Sequence, residues 1–204
     1  MIQINYQGGF GNSLFQYGKG CCRSLEKNLS IKNPLNTNII TAPEIENTDS
    51  SQLDILDGFF QDEQTIYSFL INDSLFIDPK YNDFLFVHVR LGDINDSTGR
   101  SCGYDYYSRA IRSLRTNKGF ISSDSPRSSL TKKLAEEFGL EIFNESPEET
   151  ITFAASCSAK VLSLGTFSWW IGFLGRESDI ICPNPSTRTR WNGKIFEPMG
   201  WKML

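Results

Sequence analysis

From residue 84 to residue 183 the chain alternates short apolar runs with amphipathic segments, and few architectures accommodate that rhythm. FLFVHVR (84–90), GFISS (119–123), LEIF (140–143), AKVLSLG (159–165) and DIICP (179–183) read as strands. YDYYSRAIRSLRT (104–116), PRSSLTKKLAEEFG (126–139), SPEETITFAASC (146–157) and TFSWWIGFLG (166–175) read as helices between them. The first strand is apolar almost throughout, as in a strand covered on both faces. Strands alternating with helices through short connections predict an α/β fold with a doubly wound parallel sheet. Upstream, MIQINY (1–6) reads as a strand, and Gly8, Gly9 and Gly11 form a turn. Leu14, Gly18, Cys21 and Leu25 then recur at helical spacing. Residues 32–52 read as an irregular connection, 62–76 as a helix, and the tail from 184 as irregular, with Trp191, Phe196 and Trp201 packing back.

Ligands of such sheets sit beyond the carboxyl ends of the strands. The informative residues are therefore Gly8–Asn12, Arg90–Asp93, Ser122–Asp124 and Gly165–Ser168. Composition narrows what they can bind. Twenty basic against twenty-four acidic residues give a net charge of −4, without the basic excess of a nucleic-acid binder. No apolar run approaches the ~20 residues of a membrane helix. The N-terminus has neither the basic nor the apolar region of a signal peptide, so a cytoplasmic protein is expected. The five cysteines are odd in number and lack CxxC spacing, which argues against a zinc site or disulfide scaffold and for idle thiols in a reducing compartment.

Each strand end suggests a chemistry. QGGFGNS lets backbone amides approach a phosphate or sugar at a helix N-terminus, although it also serves as a plain tight turn. It is neither a GxGxxG fingerprint nor a P-loop. His88, the one histidine, and Arg90 share a strand face, so they should point the same way. Arginine there offers a planar fork to a phosphate; it could equally be paired with Asp93 or another carboxylate. Asp124 in SSDSP can accept two hydrogen bonds from the N1 and N2 edge of guanine, or cap a turn before the helix. Thr166 and Ser168 stand where hydroxyls and amides form an anion nest, whereas Trp169 and Trp170 suit helix packing. No Asp-x-Asp occurs, so no such pair is available to hold a divalent cation.

Together these segments resemble glycosyltransferase family 11, the α-1,2-fucosyltransferases. GGFGNSLFQY (8–17) is similar to the family's GGxGNQxFQY, LDGFFQDEQ (56–64) to its G-Y/F-x-Q segment, and HVRLGD (88–93) to HxRRGD. YDYYSRAI (104–111) resembles YYxxAI, SSDSP the SDD element, and LGTFSWW (164–170) NSTFSWW. The departures are Leu91 for the second arginine, Ser125 for the second aspartate, LGT for NST, and a much shortened stretch over residues 18–55.

The resemblance implies a GT-B-like fold: a reduced N-terminal α/β domain on the acceptor side (1–80) and a Rossmann-like donor domain (81–204). It implies inverting, metal-free transfer of L-fucose from GDP-fucose to a glycan hydroxyl, with no other cofactor. Arg90 would contact the pyrophosphate, His88, Ser123 and Asp124 would lie near the guanosine, and Thr166, Phe167 and Ser168 would cradle phosphate and base. Gly9, Gly11 and Asn12 would face the sugar. Asp93 is a candidate general base by location. Another GDP-sugar as donor, or a non-catalytic nucleotide- or glycan-binding module, are the alternatives.

Overall fold

The computed structural model describes residues 1–45, 51–70, 75–92, 101–114, 116, 118–175, 178–184 and 195–204. The chain divides into two units, Met1–Leu75 and Phe76–Leu204, rather than between residues 80 and 81. Residues just before the first strand of the second unit already belong to it. Ile77 N–H donates to Leu174 O at 2.8 Å, Lys80 N–H donates to Ser156 O at 2.9 Å, and the Phe76 ring lies 5.3 Å from Phe173.

In the first unit, β1 (Ile2–Asn5) leads through the glycine turn into α1 (Phe10–Lys27). The helix buries Leu14, Phe15, Tyr17 and Cys21 and ends on Asn28 in the left-handed conformation, which turns the chain out of the helix. A strand not anticipated from the sequence, β2 (Asp54–Asp57), pairs in parallel with β1, Ile2 opposite Asp54 and Ile4 opposite Leu56. Arg23 and Lys27 on α1 hold Asp54 at 2.9 and 3.1 Å and so tie β2 to the helix. α2 (Glu63–Leu70) follows, inside the helix expected over 62–76; residues 71–74 lie outside the described part. Phe69 of α2 occupies the space above Gly18 of α1, an approach that a side chain at 18 would prevent.

In the second unit the expected alternation is present. β3 (Tyr81–Val89), α3 (Tyr104–Ser113), β4 (Lys118–Ser123), α4 (Ser129–Phe138), β5 (Glu141–Ile142), α5 (Pro147–Ala155), β6 (Cys157–Val161), α6 (Thr166–Leu174) and β7 (Asp179–Cys182) follow in order. Every pairing is parallel, and the sheet order is β5-β4-β3-β6-β7-β8. β8 (Lys202–Met203) belongs to the tail expected to be irregular. Phe196 and Trp201 do pack back, their rings 5.7 Å apart, with Trp201 filling the space over Gly172 of α6; Trp191 lies outside the described residues.

Side-chain alternation on β3 sorts the two layers. Leu85, Val87 and Val89 join Tyr106, Tyr107, Ala110, Ile111 and Leu134 of α3 and α4 in one core. Phe86 turns to the other face, where Phe153 of α5 lies 6.1 Å from it, 4.9 Å from Phe120 and 4.5 Å from Phe143. Local signals fix the helix ends. Ser146 and Glu149 form a reciprocal capping box behind Pro147, and Gly139 closes α4 at φ +62°. α4 starts at Ser129, because Ser128 accepts from the Thr131 N–H and acts as cap; Pro126 lies in the preceding turn.

The first unit depends on one buried glutamine. Gln16 of α1 accepts from Gln7 N–H at 3.1 Å and donates to Gly58 O at 3.0 Å, joining the loops that follow β1 and β2. Gln16→Leu leaves both backbone groups without that partner, and a loss of about 1–3 kcal/mol is expected from urea unfolding of the full chain.

Candidate functional site

The sheet of the second unit runs outward in one direction from β3 through β4 to β5. α5 then returns the chain to the opposite side of β3, where β6, β7 and β8 follow. The order reverses between β3 and β6, which is the switch point at which doubly wound sheets open a crevice. The residues just beyond β3, β4 and β6 converge there.

His88 and Arg90 share the face of β3 that meets α6. The His88 ring is buried, 5.0 Å from the Phe167 ring, and its Nδ1 lies 2.5 Å from Ser168 Oγ. Ser168 Oγ in turn accepts from Ser163 N–H at 3.0 Å. That capture turns the chain early, so β6 stops at Val161 instead of running to 165 as expected. The chain enters α6 through Gly165 at φ +122°, and a Cβ there would collide with Nη1 of Arg90. The guanidinium thus lies against the backbone that opens α6. At that point the helix has N–H groups without intrahelical partners and a partial positive charge. Thr166 is buried in the same turn.

Asp124, after β4, accepts from Leu91 N–H and Gly92 N–H at 2.8 Å each. It therefore clamps the segment that follows Arg90, close enough that any side chain at Gly92 would meet its carboxylate. Ser123 accepts from Ser125 N–H at 3.0 Å and shapes this turn. Asp93 lies outside the described residues. A residue absent from the sequence reading is Tyr107, whose fully buried hydroxyl stands near the Ser163 side chain and the Arg90 backbone. Burial holds its pKa well above the ordinary value of 10.0. Tyr107 lies within YDYYSRAI (104–111), where no charge or strand-end position singles it out. Trp169 and Trp170 are fully buried, and Trp169 Nε1 donates to Ile195 O at 2.6 Å, so both serve packing.

The remaining expected residues belong to the first unit. Gly9 caps α1, and Gly11 is buried within it. Gly8, at φ +77°, is the glycine whose conformation the turn requires, and the Asn12 side chain lies over it. Asn12 Oδ1 accepts from Gln61 Nε2 at 3.1 Å, so two of the sequence motifs meet through a hydrogen bond.

Burial pushes the His88 pKa down to about 4, the nearby Arg90 charge adds to this, and Asp124 opposes it. His88 is neutral at pH 7. With the folded value below the ordinary 6.5, the unfolded chain binds the extra proton first on acidification. The stabilisation is complete above pH 6.5 and is lost as pH falls toward about 4. His88→Gln should flatten that part of the stability–pH curve, removing up to about 3 kcal/mol of acid dependence measured by denaturation at pH 7 and pH 4.5. Gly165→Ala should displace Arg90 and force a methyl group into a left-handed backbone, costing about 1–3 kcal/mol of stability; an unchanged melting temperature would contradict this packing.

No curated protein and no solved structure matches the chain. The family model described as glycosyl transferase family 11 matches residues 44–198 and so spans three of the four strand ends discussed above, Arg90, Asp124 and Thr166 included. On that match the chain belongs to glycosyltransferase family 11, a family of fucosyltransferases.

Proposed function

We propose that the chain transfers L-fucose from GDP-fucose to a hydroxyl of a glycan acceptor, forming an α-1,2 linkage with inversion and without a metal ion. The observation behind this reading is the Arg90 guanidinium seated against Gly165 at the entry to α6. A diphosphate needs concentrated positive potential, and here a planar cation and a helix N-terminus converge at the switch point of the sheet. Membership of a fucosyltransferase family supplies the sugar.

In this reading Arg90 and the first turn of α6 neutralise the charge that builds on departing GDP. The acceptor hydroxyl attacks the anomeric carbon from the opposite face through an oxocarbenium-like transition state. Asp124 selects guanine. Its two backbone partners take two of a carboxylate's roughly four acceptor sites, and the Ser123 hydroxyl reaches Oδ1 only at 3.5 Å, so the guanine N1–H and N2–H can be accepted if that hydroxyl turns away. The GT-B reading gives the first unit the acceptor side. Reaction without a metal accords with the lack of any Asp-x-Asp in the sequence.

Calorimetry with GDP, UDP, GDP-fucose and GDP-mannose tests the donor. GDP should bind more tightly than UDP, and GDP-fucose more tightly than GDP-mannose; preference for UDP would overturn the guanine assignment. Arg90→Ala should lower transfer by on the order of 10²–10³, the scale for one preorganised electrostatic donor. Transfer at the parental rate would remove that role. If the parental chain left GDP-fucose intact with every glycan in a panel, a binding module would be the better reading.

A further inference from the structure

Ser168 has one proton and two lone pairs to place, and its fully buried side chain has no water to receive them. One lone pair takes the Ser163 N–H. The other polar contact of the hydroxyl among the described residues is His88 Nδ1, at 2.5 Å. If Nδ1 carried the imidazole proton, serine would accept twice and its own proton would have no acceptor, the costly arrangement for a buried donor. If Nδ1 is bare, serine donates to it and every group is satisfied.

We propose that Ser168 is a positioning residue that donates to Nδ1 and holds His88 as the neutral Nε2–H tautomer, so that Nε2–H is a fixed donor to an oxygen of the nucleotide sugar. This use of Nε2–H rests on the functional reading above; the tautomer does not. Three features support it. The hydrogen bond of the ring to Ser168 runs through Nδ1 and leaves Nε2 for another partner, and His88 keeps 6 % of its surface exposed. The Phe167 ring packs against the imidazole at 5.0 Å and limits its rotation. His88 stands two residues before Arg90 on one face, so the imidazole and the guanidinium project to the same side, and the Arg90 charge acts on the ring.

Two consequences follow for the chemistry. Ser168 does not touch the donor substrate through its hydroxyl, because that hydroxyl is used within the protein. Nor is His88 the base that deprotonates the acceptor, since one ring nitrogen already bears a proton and the other is occupied by serine.

The chain has one histidine, so a long-range proton–nitrogen correlation spectrum of the untagged, uniformly ¹⁵N-labelled chain at neutral pH contains one imidazole. The expected pattern is a protonated Nε2 and a bare Nδ1; the reverse overturns the proposal. Ser168→Ala should leave Nε2 protonated but move the bare Nδ1 resonance downfield, because that nitrogen loses the hydrogen bond it accepts; an unchanged Nδ1 shift would overturn the part given to serine. Should that variant fail to fold, two substitutions at 88 still decide. The amide nitrogen of glutamine can stand where Nε2–H was, and that of asparagine stands nearer Nδ1. His88→Gln should therefore retain GDP about tenfold more tightly than His88→Asn. Equal affinities would overturn the donor role. The spectrum is recorded without nucleotide, so a wrong tautomer defeats this assignment whether or not GDP binds. Failure of the parental chain to bind GDP defeats the functional reading instead.

Discussion

β3 is the element on which the second unit depends. Its residues from Leu85 to Val89 are all buried, with aliphatic side chains toward α3 and α4 and Phe86 and His88 toward the other layer. A strand held from both sides cannot slip in register, because a shift by one residue would exchange its two faces. Pairing with β4 on one edge and β6 on the other fixes it in the plane as well. That constraint delivers His88 and Arg90 to one place at its carboxyl end. Groups that must meet a ligand within fractions of an ångström are best carried by such an element.

The same features made β3 legible. An apolar run between polar segments has few readings, and the alternation after it dictated a parallel sheet. Helix boundaries were readable where chemistry marks them, as at Ser146, Pro147 and Gly139. β2 was not readable. Four residues, Asp54–Asp57, with acidic ends and exposed Ile55, carry no burial signal, and only pairing with β1 makes them a strand. β8 is two residues long and exists through its pairing with β7. β6 was read too long because the interaction that ends it joins Ser163 to Ser168, a bond no periodicity reveals.

Within the candidate site, strand-end logic located Arg90, Asp124 and the α6 entry, but not how they are used by one another. The aspartate was read as facing guanine, and its immediate partners are the amides of Leu91 and Gly92. Both can hold, since clamping the loop after Arg90 restricts the arginine at its base while leaving acceptor capacity outward. Gln16 and Gln61 were visible as letters within motifs. Their bonds to Gln7, Gly58 and Asn12 depend on loops brought together by the β1–β2 pairing, which the sequence did not announce.

α6 is secured at both ends, and this is what makes its first turn a usable electrostatic feature. At its start, Gly165 lies against Arg90 and Ser168 is bonded to His88 and Ser163. At its end stands Lys160, a fully buried lysine in β6. Its ammonium donates to Cys157 O, to Ser178 Oγ at 2.6 Å and to Gly175 O at 3.5 Å. Burial lowers its pKa to about 8, so near neutral pH it retains its charge. A cation among carbonyls at the C-terminus of a helix complements the negative end of the helix dipole. A strand interior is otherwise a costly place for lysine. The cation also ties α6 to the segments flanking β6 and β7, so the helix is anchored to the sheet that carries Arg90. Positive potential at the N-terminus of α6 is useful to a diphosphate only if the turn does not drift from the arginine, and the lysine at the far end helps to hold it there.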